Sequence, residues 1–220
     1  MGIFVLIMFS ARISGSHFNP IITFSYMIGN VRDGKFDRIL GLLYVVAQFV
    51  GAACGGLVSA TLMTGVPKKV KISIDDDKMG SGILGEIIGS FFLVFMYLCS
   101  TDEATKFTKD SVMQTMILSI SYISAMLISG TNTNIMLSPV NPAVAAFMTI
   151  TYNNSTEGWK AIWIFLIFGF VGSFFAFLFY RFIYKTTQET IAEIEEDERE
   201  ADELAAQGAG INKVMLEEDS

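Results

Sequence analysis

The chain has 220 residues, of which 52% are hydrophobic and only 17% charged, and its mean hydropathy is +0.50. Soluble globular domains carry about 25% charged residues, so this composition excludes an ordinary soluble domain and favours a membrane protein. Residues 186–220 contain 12 acidic and two basic side chains, whereas residues 1–185 have a small net positive charge. The acidic isoelectric point therefore reflects the C-terminal segment alone, and nothing in the composition indicates nucleic-acid binding.

The residue types needed for enzyme chemistry are scarce or scattered. Cys54 and Cys99 both lie in apolar stretches, and His17 is the only histidine. Neither a disulfide framework nor a metal cluster is expected from so few ligands. We find no nucleophile with a base and an acid, and no phosphate-binding loop. The sequence therefore predicts no enzyme, no metal site and no cofactor.

Several apolar stretches are long enough to cross a bilayer as helices, which takes about 20 apolar residues. In chain order these four predicted spans are Ile39–Thr64, Met79–Ser100, Val112–Ser129 and Trp159–Tyr184. Residues 2–13 are also apolar but too few for a full span. Gly51 and Gly55 have the spacing that allows close helix contact in membranes.

Two Asn-Pro steps, Asn19-Pro20 and Asn141-Pro142, are each followed by about ten mostly apolar residues. Proline is favoured at the first position of a helix and asparagine at its N-cap. Each step therefore predicts a helix of about half the length of a membrane span. Two such half-helices at corresponding places in the two halves of a hydrophobic chain indicate a permeation site near the membrane mid-plane.

The two halves of the chain repeat. Asn19 precedes Gly51 by 32 residues, and Asn141 precedes Gly172 by 31. The second half has three spans and a half-helix, whereas the first has a short span, a half-helix and a full span, so we expect one span to be missing at the front. A full unit with three spans would insert upside down relative to the other, which is the inverted-repeat architecture of many transport proteins.

The chemistry of paired half-helices favours neutral molecules. A helix N-terminus carries about half a positive charge, and two of them at the mid-plane oppose cations, including protons. Asn19 and Asn141 would offer side-chain N–H donors, and the carbonyls of residues 14–18 and 137–140 would offer acceptors. This arrangement suits a small neutral polar molecule and not an ion.

The two loops carry a family resemblance. Residues 14–20, with the sequence SGSHFNP, and residues 140–144, with the sequence VNPAV, resemble the two signature loops of the aquaporin (major intrinsic protein) family. Residues 85–94 resemble the family too. The resemblance covers residues 1–185 and implies an all-α membrane domain, a bundle of inverted repeats with two half-helices, here lacking the first transmembrane helix. Residues 186–220 would form a separate acidic tail.

The sequence departs from the family pattern at four pore positions. Ile21 stands where the family has alanine, and Val144 where it has a selectivity arginine. Ser129 falls at the narrow-filter position, often histidine in strict water channels, and Ser138 where some members have a mercury-reactive cysteine. The resemblance therefore implies an aquaglyceroporin-like channel that passes glycerol, urea or ammonia as well as water.

The candidate residues divide into a pore set and one buried charge. The pore and selectivity candidates are His17, Asn19, Pro20, Ile21, Ser129, Ser138, Asn141, Pro142, Ala143 and Val144. Glu86 is the only charge in its span, and by resemblance we interpret it as a structural group that holds the loop before Asn141 through backbone N–H groups. For His17, packing within the loop is favoured over contact with a solute.

The predicted environment is the lipid bilayer, with the chain as a multi-pass integral membrane protein. The segments on the C-terminal side of the membrane hold eight basic residues against five on the other side, which favours a cytoplasmic C-terminus. The resemblance implies a homotetramer or a hetero-oligomer with related channels. The alternative to a channel is a non-conducting, truncated subunit with a structural or regulatory role in such hetero-oligomers.

Overall fold

The computed structural model describes residues 2–29, 36–62, 74–130, 138–152 and 156–218, and the regular structure within those ranges is helical. A 3₁₀ turn, Asp76–Lys78, precedes α4, and a π-helical turn, Tyr180–Tyr184, joins α7 to α8. The α-helices are α1 (Gly2–Ser14), α2 (Pro20–Gly29), α3 (Arg38–Leu62), α4 (Met79–Thr101), α5 (Ser111–Gly130), α6 (Pro142–Tyr152), α7 (Thr156–Phe179) and α8 (Lys185–Glu218).

Among the described residues, four helices are long and apolar enough to cross a membrane, and they correspond to the four predicted spans. They are α3, α4, α5 and α7, the last running on into α8. The two predicted half-helices are α2, with ten residues, and α6, with eleven, and both begin at the proline of the Asn-Pro step. The prediction of an all-helical membrane fold is confirmed.

The helix contacts are reciprocal between the two halves. By position in the repeat, α1, α2 and α3 correspond to α5, α6 and α7. The half-helix α2 packs on α3 of its own half and on α7 of the other, and α6 packs on α7 and on α3. The two half-helices also contact each other. This exchange is the arrangement that an inverted repeat predicts. In the first half, the described residues include no counterpart of α4, which packs on both α5 and α7.

Glycines allow the backbone of α4 to come into close contact with the backbones of α5 and α7. A Cβ atom added to Gly89 would lie 2.8 Å from the carbonyl oxygen of Ala125 in α5, and one added to Gly172 would lie 2.3 Å from that of Ile87. Any side chain at these positions would push the helices apart. The expected contact through Gly51 and Gly55 is not found among the described residues, where an added Cβ at either glycine meets no atom within 4 Å.

Helix α3 is the least buried of the four long helices. Gly41 is its one buried residue within the described part of the chain, whereas α4 buries eleven. The exposed residues of α3 are mainly leucine, valine and other apolar types. In a membrane this surface contacts lipid or another protein.

An ionic cluster ties the end of α4 to the beginning of α8. The Asp102 carboxylate accepts hydrogen bonds from Lys185 Nζ and Tyr180 Oη, both at 2.7 Å. From this anchor α8 continues as a long acidic helix whose residues are exposed from residue 189 to residue 206. The division into two segments at residues 185 and 186 stays a prediction, although α8 begins at that point.

This cluster makes stability dependent on pH. Burial raises the pKa of the Asp102 carboxyl, but hydrogen bonds from Lys185 and Tyr180 outweigh that effect and hold the pKa below its usual value. A lowered folded-state pKa means that the stabilisation is complete above the unfolded-state pKa of about 4 and is lost as the pH falls through the folded-state value. At pH values below about 4, we expect the thermal midpoint of the purified protein to fall. We expect this fall to be smaller in Asp102→Asn. Glu103→Gln, which alters an exposed neighbour, should keep the full acid loss. An identical acid profile in Asp102→Asn would contradict the assignment.

Candidate functional site

Asn19 and Asn141 begin the two half-helices in the same way. The side-chain oxygen of Asn19 accepts a hydrogen bond from the Ile21 N–H at 3.2 Å, and that of Asn141 accepts one from Ala143 at 3.1 Å. Pro20 and Pro142 occupy the first helical positions, where a missing N–H costs nothing. Since each amide oxygen caps its own helix, each amide nitrogen is left to face the opposite loop.

The two amide nitrogens exchange hydrogen bonds across the pair of loops. Asn19 Nδ2 donates to the carbonyl oxygen of Val140 at 2.8 Å, and Asn141 Nδ2 donates to that of Phe18 at 2.9 Å. Phe18 and Val140 have φ angles of 48° and 44°. The left-handed region is uncommon for residues other than glycine, and for a β-branched residue such as valine it is a true outlier. Strain of this kind costs on the order of 1–3 kcal/mol per residue and persists only where the surroundings enforce it. The two loops therefore hold each other in place.

Tyr122 of α5 completes this arrangement. Its hydroxyl oxygen accepts a hydrogen bond from Asn19 Nδ2 at 2.8 Å and another from Asn141 Nδ2 at 3.3 Å. An asparagine amide nitrogen has two hydrogens, and here each nitrogen has two acceptors: a carbonyl oxygen and the phenol. The Tyr122 side chain is 9% exposed. Sequence reasoning did not identify this residue, because a tyrosine in an apolar, serine-rich span has the pattern of an ordinary core residue.

Glu86 joins α4 to α5 and to the loop before α6. Its Oε2 atom accepts hydrogen bonds from the hydroxyls of Ser129 at 2.6 Å and Ser138 at 2.8 Å. Its Oε1 atom has no hydrogen-bond partner among the described residues, and the side chain is fully buried. Ser138 is further tied to α5 by its N–H, which donates to the Met126 carbonyl oxygen at 3.2 Å. The contacts described here come from hydroxyls, whereas backbone N–H groups were expected; residues 131–137 of the loop lie outside the described residues.

Two cavities follow one another along α5. The large cavity, of about 950 Å³, is lined on α5 by Tyr122, Ile123 and Met126 and is predominantly apolar. The small cavity, of about 540 Å³, is lined on α5 by residues 111, 114, 115 and 118, and it contains the charged side chains of Arg12 and Glu103. Tyr122 therefore lies at the boundary between the cavities, at the level of the paired asparagines.

The sequence of residues 1–180 matches the family model described as Major intrinsic protein. This match covers more than half of the chain. The chain belongs to the major intrinsic protein family. It is therefore an integral membrane protein, in agreement with the four long apolar helices of the described structure.

The similar proteins include plant members of this family. Aquaporin PIP2-5 of Zea mays is 30% identical over 196 residues, covering 84% of this chain, and Aquaporin PIP2-1 of Arabidopsis thaliana is 31% identical over 195 residues, also covering 84%. The chain spans 64% of the length of each of these two relatives. Among solved structures, the aquaglyceroporin from Plasmodium falciparum superposes with a TM-score of 0.66 at 20% identity, covering 85% of this chain and 80% of that one. This likeness shows the fold.

Part of the predicted site of this major intrinsic protein lies along the large cavity. Its lining includes His17, Asn141, Ala143 and Val144. Val144 is 37% exposed, so its side chain has room toward the cavity. The roles of these residues in permeation stay predictions.

The other predicted site residues lie behind this lining. Ile21 is fully buried, and its carbonyl oxygen accepts a hydrogen bond from Ser173 at 2.7 Å. Ser129 and Ser138 donate to Glu86 and are not among the described lining residues of either cavity. A buried carboxylate needs hydrogen-bond donors, and these two hydroxyls supply them. The described side-chain hydrogen bond of Ser129 is the one to Glu86, and its role as a pore-lining residue stays a prediction.

The His17 side chain packs within a group of aromatic rings. Its ring centroid lies 4.5 Å from that of Tyr26 and 5.7 Å from that of Tyr44. Its Nδ1 atom is 3.2 Å from the hydroxyl oxygen of Thr23 in α2. These contacts agree with the interpretation of His17 as a residue that packs the loop, although it also borders the large cavity.

Proposed function

We propose that this chain forms a passive membrane channel for water and small neutral solutes such as glycerol, urea and ammonia, and that it excludes ions and protons. One observation carries the proposal: the N-termini of α2 and α6 meet, and Asn19 and Asn141 exchange hydrogen bonds with the opposite loop. The proposal is also supported by membership of the major intrinsic protein family and by the similarity of this chain to aquaporins.

Exclusion of ions follows from the charge of the two helix ends. Each N-terminus carries about half a positive charge, so a cation between α2 and α6 meets repulsion from both sides. The described residues that border the large cavity include no carboxylate, so no fixed negative charge among them offsets this repulsion. A neutral molecule experiences no such barrier and can exchange hydrogen bonds with amides and carbonyls.

Val144 supports the inclusion of solutes larger than water. It lies on the first turn of α6, beside Asn141, whose side-chain oxygen accepts a hydrogen bond from the Val144 N–H at 3.4 Å. A valine adds neither charge nor hydrogen-bond donors to the cavity. We therefore infer a wide, weakly polar entrance at this end of the pathway.

A second candidate function is a non-conducting subunit that assembles with related channels. The exposed apolar surface of α3 favours it, because a membrane helix with one buried residue has most of its surface available to another chain. Homotetramers and hetero-oligomers both remain proposals, as does a cytoplasmic C-terminus. Transport by the purified chain separates the two functions.

The test is osmotic shrinkage of proteoliposomes that contain this chain alone. We expect faster water efflux than in empty vesicles, measurable uptake of urea and glycerol, and no ionic current across planar bilayers that contain the same protein. Water and solute permeability at the level of empty vesicles would favour the non-conducting subunit. A cation current in the parent protein would contradict exclusion by the half-helix ends.

Val144→Arg should narrow the entrance. An arginine adds a fixed positive charge and five N–H donors, so we expect urea and glycerol permeability to fall more than water permeability. Val144→Leu is the matched control, since it adds bulk without charge and should change the ratio of urea to water permeability less. The same ratio in the parent and in Val144→Arg, from stopped-flow light scattering, would exclude position 144 as a selectivity position.

A further inference from the structure

We propose that Tyr122 determines which molecules pass the central constriction, because its hydroxyl oxygen occupies the position where a permeating molecule would accept hydrogen bonds from the two asparagines. This inference rests on the proposed channel function. It assigns selectivity to a residue of α5 that lies outside both Asn-Pro loops.

The hydrogen-bond geometry is the first support. Asn19 Nδ2 and Asn141 Nδ2 both donate to the Tyr122 oxygen, at 2.8 and 3.3 Å, and their remaining hydrogens are directed to loop carbonyls. No amide hydrogen of either asparagine is left for a passing molecule. A water or solute oxygen must therefore replace the phenol oxygen or pass without these donors.

The position of Tyr122 between the cavities is the second support. Along α5, Leu118 borders the small cavity and Tyr122 borders the large one. The boundary between the two cavities therefore lies within one helical turn. Leu118 and Ile7, which border the small cavity close to this level, are 4% and 2% exposed. Buried side chains therefore separate the two cavities at this level, and we infer that the narrowest point is central.

The phenol also determines what kind of molecule can replace it. The described contacts of its oxygen are two accepted hydrogen bonds, and the structure describes no acceptor for its own hydrogen. One water molecule can take over both accepted bonds when the ring moves aside by about the size of an oxygen atom. Urea or glycerol needs a larger displacement of a ring that is packed in a buried position. Tyr122 therefore favours water over the larger solutes.

Three variants separate the hydroxyl from the ring. Tyr122→Phe removes the oxygen and keeps the ring, so water permeability should rise while urea and glycerol permeability stay unchanged. Tyr122→Ala removes the ring as well, so urea and glycerol permeability should rise roughly tenfold, the factor that corresponds to a barrier lower by about 1.4 kcal/mol. Ile120→Ala is the matched control, since it shortens an exposed residue of the same helix that is not among the described lining residues of either cavity. It should leave all permeabilities within about twofold of the parent, as surface substitutions usually do.

Permeability is measured by stopped-flow light scattering and divided by the amount of reconstituted, monodisperse protein. If the parent conducts and Tyr122→Ala passes urea and glycerol no faster, the role of Tyr122 is overturned while the channel function stands. If the permeability of the parent equals that of empty vesicles and Tyr122→Ala is permeable, Tyr122 is the residue that closes the path. If the parent and every variant match empty vesicles, the proposed function fails, and this inference fails with it. If Tyr122→Ala does not give monodisperse protein, Tyr122→Phe decides: faster water flux with unchanged urea flux supports the assignment, and any other result overturns it.

Discussion

Replacing Glu86 with glutamine is expected to destabilise the folded bundle by about 1–3 kcal/mol, because two serine hydroxyls exchange a charged acceptor for a neutral one and the new amide nitrogen brings two donors into a buried site. Glutamine can place its oxygen at the position of Oε2 and still accept from Ser129 and Ser138. Its amide group then falls at the position of Oε1, where the described residues provide no partner. The loss should appear as a lower yield and a lower thermal midpoint of the purified protein.

Two serine variants show which contact of Glu86 matters most. Ser138→Ala frees the loop before α6 from the carboxylate, so it should reduce transport. Ser129→Ala removes a hydrogen bond between two helices whose glycines already allow close contact, so it should reduce transport less. Ser119→Ala is the control, because that hydroxyl is buried but donates to Thr115 within its own helix at 2.7 Å. A Glu86→Gln protein with normal yield and normal thermal midpoint but altered solute preference would place Glu86 in the permeation path instead.

The half-helices could be predicted from sequence because the information that specifies them is local. A proline at the first helical position and an asparagine cap determine where α2 and α6 begin, whatever the rest of the chain does. The spans are predictable for a similar reason, since about 20 apolar residues must cross a bilayer as a helix. Both kinds of prediction agree with the described helices.

The contacts at the centre could not be predicted, because they join residues that are far apart in sequence. Tyr122 meets Asn19 across 103 positions, and nothing near Tyr122 distinguishes it from other aromatic residues in apolar spans. The positive φ of Val140 goes against local preference and depends on the opposite loop. Ser129 illustrates the same limit, since its sequence position suggested the cavity and its hydroxyl is bonded to Glu86.

Asn141→Asp is expected to reduce water flux several-fold and to allow a small cation current. Aspartate is as good an N-cap as asparagine, and a negative charge at a helix N-terminus is favourable, so α6 should still begin at Pro142. The variant loses both N–H donors, however, and turns a carboxylate oxygen toward the carbonyl of Phe18, now 2.9 Å from the amide nitrogen. Two oxygens without a hydrogen between them repel, so the loops should separate. The added charge also offsets the positive potential that excludes cations.

Because the two loops exchange equivalent hydrogen bonds, Asn19→Asp should have the same effect through its lost bond to Val140. Asn212→Asp in α8 is the control for the added charge alone and should leave transport unchanged. The measurements are osmotic shrinkage for water and current across planar bilayers for ions. The decisive comparison is between the two loop variants: if Asn19→Asp abolished water flux while Asn141→Asp left it at the parent level, the loops would not support each other equally. Normal water flux without current in both variants would contradict the role of the asparagine donors altogether.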